Sequence, residues 1–78
     1  MARGRKFFPL GNSPQPHPTE VDCGWVVLAT AQGPMLQLST YGSDTRASQP
    51  KVSQTLQIDE AGARELLRIL RKAFPETT

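Results

Sequence analysis

The last quarter of the chain constrains its fold most. Leu66, Leu67, Ile69, Leu70, Ala73 and Phe74 recur at helical spacing, while Arg64, Glu65, Arg68, Arg71 and Lys72 fall mainly on the other side. Asp59 precedes this pattern as an N-cap, because its carboxylate can accept the free amides of a first helical turn. Glu60 and Arg64 form an i,i+4 pair in the favourable order. Arg71 and Lys72 occupy the last turn, where cations suit the helix dipole, and Pro75 ends the helix. Such a helix is roughly 24 Å long at 1.5 Å per residue, enough to cross three strands.

The residues before it supply those strands. Gly24 to Ala31 is rich in β-branched and aromatic residues, and Gln32-Gly33-Pro34 is a turn signal. Met35 to Tyr41 alternates, with Leu36 and Leu38 on one side and Gln37, Ser39 and Tyr41 on the other. Gly42 to Lys51 reads as a loop, and Val52 to Ile58 alternates again. The pattern predicts an α+β domain, a small antiparallel sheet of three strands followed by one C-terminal amphipathic helix. A fourth strand would need Phe7–Leu10 or Glu20–Cys23. Leu66 and Leu70 are expected to bury against Leu36, Leu38, Leu56 and Ile58.

Residues 1–20 read as a basic, proline-rich flexible arm, residues 21–75 as the folded domain and 76–78 as a tail. Four of the seven prolines lie between positions 9 and 18, where they remove backbone donors and favour extended chain. Arg3, Arg5 and Lys6 crowd the first six residues, with no acidic residue before Glu20. The formal net charge of +2 is too mild to announce a nucleic-acid partner, so the clustering says more than the total. A chain of 78 residues has room for one modest core, which makes a homodimer the expected state. The lone Cys23 excludes an internal disulfide and fits a reducing, cytoplasmic setting. The longest apolar run, Trp25 to Ala29, is too short for a signal peptide or a membrane span.

Little here points to catalysis. His17 lies between two prolines, without the rigid partner that a catalytic imidazole needs. Cys23 has Asp22 beside it, which works against thiolate formation. No phosphate loop, paired-carboxylate motif or metal spacing appears. The expectation is a non-enzyme without metal or cofactor. Binding is better provided for. One helix covers one sheet face, so the other must meet solvent, a partner or a ligand. A three-residue first turn would put Trp25 and Val27 beside Tyr41 on that open face; a two-residue turn would put Val26 and Leu28 there instead.

The run Met35-Leu36-Gln37-Leu38-Ser39-Thr40-Tyr41, the polar Gly42-Ser43-Asp44, and a further strand entering a helix through Ile58-Asp59-Glu60 to Leu66-Leu67 and Leu70 form a pattern. It resembles that of the positive-cofactor-four type of transcriptional coactivator and its small bacterial relatives. The resemblance covers residues 35–73. It implies a curved antiparallel sheet backed by one helix, a homodimer, and single-stranded DNA bound along the β-ribbons. Tyr41 falls where that family has its strand-end aromatic. Ser39 stands where the family usually has a basic residue, and the three strands carry no Lys or Arg.

The expected function is binding of single-stranded DNA or RNA in a transcription- or DNA-related regulatory role. Tyr41 and Trp25 would stack on bases, and Arg46, Lys51, Arg3, Arg5 and Lys6 would contact phosphates. The alternative is a small protein-interaction module, a regulator or inhibitor, that docks a partner protein through its open sheet face.

Overall fold

The computed structural model describes residues 1–42 and 52–76. Strands β1 (Ala2–Gly4), β2 (Cys23–Thr30), β3 (Gly33–Tyr41) and β4 (Val52–Asp59) lead into helix α1 (Glu60–Ala73). The strands form one sheet in the order β1-β4-β3-β2. The α+β class and the terminal helix are as the periodicities predict. The sheet is mixed, however, because the fourth strand is Ala2–Gly4 and runs parallel to β4, in the register Ala2↔Leu56 to Gly4↔Ile58. The start of the expected arm therefore belongs to the sheet. It lies ahead of the first proline, Pro9, so its backbone donors are intact.

β2 and β3 form a hairpin whose last pair is Thr30↔Gly33, leaving a two-residue loop. Gly33 adopts a positive φ of 118°, which a side chain would resist. The Thr30 hydroxyl ties the corner, accepting from the Gln32 N–H and donating to the Gly33 carbonyl. With this register Trp25 pairs with Leu38, and Val27 with Leu36. Leu38 pairs in turn with Leu56, and Leu36 with Ile58. Paired residues point to the same side, so Trp25 and Val27 lie on the helix side. Val26 shares the far side with Gln37 and Gln57.

The helix begins as its cap predicts. Asp59 Oδ1 accepts the Gly62 N–H at 2.9 Å, and the Phe74 N–H closes the far end on the Leu70 carbonyl at 2.8 Å. The core is small. Among the described residues the buried apolar side chains are Ile58, 1% exposed, and Met35. Gly62 sits directly over Ile58. Leu66 is half-buried, but Leu56 and Leu70 are exposed, contrary to expectation. A single 14-residue helix crosses a four-stranded sheet and covers only part of it. No described helix is long and apolar enough to cross a membrane.

Candidate nucleic-acid interface

The residues expected to bind do not gather on one face. Tyr41 and Trp25 lie on opposite sides of the sheet, because the two-residue loop fixes Trp25 on the helix side. Tyr41 is partly occupied. Its ring lies over Gly24, with Cε2 3.4 Å from where a Cβ would stand. Its N–H donates to the Asp22 carbonyl at 3.1 Å. The face it shares carries uncharged pairs, with Gln57 donating to Gln37 at 2.9 Å and Ser39 and Thr55 hydroxyls 3.4 Å apart. That face offers hydrogen bonds, and among the described strand residues its one cation is Arg3, which pairs in register with Gln57 and is tied to Asp59. Arg46 and Lys51 lie outside the described residues.

Arg3, Arg5 and Lys6 do come together, at the β1 edge. Arg3 Nη2 donates to Asp59 Oδ2 at 3.3 Å, so the carboxylate that caps the helix also binds β1. That pair neutralises Arg3 in part. Arg5 and Lys6 form no ion pair with a described residue, and neither do Arg71 and Lys72 at the helix end. The other helix cations are paired: Arg64 donates to Glu60 at 2.6 Å, and Arg68 is hydrogen-bonded to Glu65. The Arg68 hydrogen bond holds the Glu65 carboxyl below its ordinary range and pushes the guanidinium up.

Between these cations the chain carries two adjacent phenylalanines with different fates. The Phe7 ring tucks under the start of the helix, 3.5 Å from a Cβ at Gly62 and 3.9 Å from one at Gly4. Phe8 is 65% exposed. It lines a concavity with Arg3, Arg5 and Lys6. With Phe7 it also lines an adjoining one, about 340 Å³, that reaches Ile69, Lys72 and the paired Glu65 and Arg68 of the helix. An exposed ring framed by cations is the arrangement that stacks a base while holding its phosphates. Sequence reasoning missed Phe8 and Lys72. Its available signal was the interleaving of Arg5-Lys6 with Phe7-Phe8.

The remaining reactive groups stay isolated. His17 Nδ1 accepts the Thr19 N–H at 3.3 Å in a local turn, and Cys23 is an exposed free thiol. Among the described residues no three His, Cys, Asp or Glu side chains cluster as metal ligands do. No family model, curated protein or solved structure matches this chain.

Proposed function

We propose that this chain is a non-catalytic protein that binds single-stranded nucleic acid, and that it does so along the basic N-terminal edge rather than across the sheet. Phe8 carries the reading: a largely exposed aromatic ring shared by two adjoining concavities, with Arg5, Lys6 and Lys72 around it. A base stacked on Phe8 covers apolar surface that water otherwise meets, whatever the base identity. The surrounding cations release counterions from the phosphates, so affinity falls with salt. A reducing, cytoplasmic compartment suits the exposed Cys23 thiol. A DNA-related regulatory role suits a binder with little sequence preference.

Titration of a labelled single-stranded oligonucleotide at two salt concentrations tests the reading. Phe8→Ala should weaken binding by roughly 5- to 150-fold, the equivalent of about 1–3 kcal/mol of stacking. Replacing Arg5 and Lys6 with serine should flatten the slope of log affinity against log salt by about 0.7 per lost contact. A wild-type protein that ignores oligonucleotides at low salt refutes the proposal. A second reading, a small regulator or inhibitor docking a partner protein, draws on a different surface: the apolar side chains left exposed beside the helix.

A further inference from the structure

We infer that the free edge of β2, with the apolar side chains beside it on the helix side, is the interface for a second copy of this chain. The two copies pair antiparallel about a two-fold axis and join their four-stranded sheets into one. This goes beyond the nucleic-acid reading and does not depend on it.

β2 is the outermost strand, paired with β3 on one side and with nothing among the described residues on the other. It is eight residues long, Cys-Gly-Trp-Val-Val-Leu-Ala-Thr, and contains no charge and no proline. Its pairing with β3 is regular throughout, and the register shift of the sheet lies elsewhere, between β3 and β4 at Thr40/Tyr41. Edge strands in proteins that stay monomeric are usually blunted by lysine, proline, a bulge or short length, because a bare edge pairs with any strand that reaches it. β2 has none of these protections.

The side chains next to that edge are equally uncovered. Trp25 is 72% exposed and Val27 58%, both on the helix side. Ala63 borders a concavity with Val27 and Leu36. From Ala63 the exposed helix stripe continues through Leu67, Leu70 and Phe74 at helical spacing. Helix stripe and strand edge therefore form one continuous apolar surface. The exposed Trp25, Val27, Leu67, Leu70 and Phe74 side chains are the apolar surface that a partner could cover.

A second copy is the occupant that fits. An edge strand laid antiparallel on its own copy satisfies the open N–H and C=O groups of both through one symmetry operation. An axis perpendicular to the sheet keeps both helices on the same side. It brings each Trp25 and Val27 against their counterparts, between the two exposed helix stripes. No charge on β2 opposes the pairing.

Sedimentation equilibrium and the fluorescence of Trp25, the only tryptophan, test this on the full chain. The wild type should sediment as a dimer at micromolar concentration, and its emission should shift to the red on dilution as the indole becomes exposed. The pair Trp25→Lys and Val27→Lys replaces side chains that are exposed in the single chain, so the fold should survive. Its association should weaken at least tenfold. In a Cys23→Ser background, single cysteines placed along positions 25–28 should form disulfide-linked dimers, whereas one at Thr19 should not. A wild type that stays monomeric overturns the inference and leaves the surface to another protein. A dimer that keeps its affinity with both lysines in place, or that fails to cross-link anywhere along β2, overturns it as well.

Discussion

Gly62 is the second position after a helix start, where intrinsic propensity argues for alanine. Replacing glycine with alanine inside a helix typically gains about 1 kcal/mol. The packing argues the other way. A Cβ at Gly62 would stand 2.8 Å from Ile58 Cγ2, 3.3 Å from Asp59 Oδ1 and 3.5 Å from the Phe7 ring. Ile58 is the most buried side chain and is branched at Cβ, so Cγ2 cannot retreat without leaving its rotamer. Asp59 is held by two bonds, to the Gly62 N–H and to Arg3. Overpacking of this kind costs about 1–3 kcal/mol, and the fixed neighbours put this site in the upper part of that range. Gly62→Ala should therefore destabilise the fold by about 1–2 kcal/mol net. In a domain of this size each kcal/mol lowers Tm by roughly 4–8 °C. Circular-dichroism melts at one protein concentration read the effect, with Ala61→Gly, on the exposed side, reporting propensity alone. A rise in Tm for Gly62→Ala would show that the helix does not rest on Ile58 through this glycine.

Ile58→Ala should cost about 2–5 kcal/mol as a cavity in the smallest part of the core, and Leu70→Ala distinctly less, because Leu70 is 38% exposed in the single chain. Urea titration in the Trp25→Lys, Val27→Lys background ranks the two, and a larger loss for Leu70 there would reverse the assignment of the core. The Glu65 carboxyl, lowered by its hydrogen bond to Arg68, contributes stability above its unfolded pKa and loses it as pH falls through the lower folded value. The pair is solvent-exposed and its contribution small, so the check is an NMR titration in which Arg68→Ala raises the Glu65 midpoint; an unmoved midpoint counts against the pairing.

What could be read from the sequence followed periodicity, and what could not followed parity and distance. Three strands and the capped helix show in the alternation of β3 and β4 and in the spacing from Leu66 to Phe74, because each element carries its own repeat. β1 carries none. Ala-Arg-Gly is too short to show alternation, and only its partner β4, more than fifty residues away, makes it a strand. The faces of β2 turned on a single residue of loop length, and the pairing Thr30↔Gly33 sent Trp25 to the helix side, away from Tyr41. The sequence likewise could not tell Phe7 from Phe8: both rings line the concavity beside the helix, and only the placement of β1 decides which one meets Gly62.

The strand order gives the two proposed surfaces a definite relation. β1, with the cations and Phe8 beyond it, lies at one edge of the sheet, and β2 lies at the other. Pairing through β2 therefore leaves both basic edges outermost. Seven strand spacings of about 4.8 Å separate them by roughly 34 Å. Dimerisation and nucleic-acid binding should not compete, and a dimer should hold one long strand at two points. The monomeric Trp25→Lys, Val27→Lys variant should bind a short oligonucleotide as the wild type does, since neither residue lies at the β1 edge. It should lose affinity for an oligonucleotide long enough to span both edges, because tethering the second contact adds an effective concentration that only the dimer supplies. The two added lysines work against that loss by raising net charge, so a weaker grip on the long strand would be informative in spite of them. Fluorescence anisotropy with short and long strands of one composition measures the difference. Equal long-strand affinity in variant and wild type, with short-strand affinity also equal so that the added lysines contribute nothing, would mean that the two edges do not act on one strand, even if each binds.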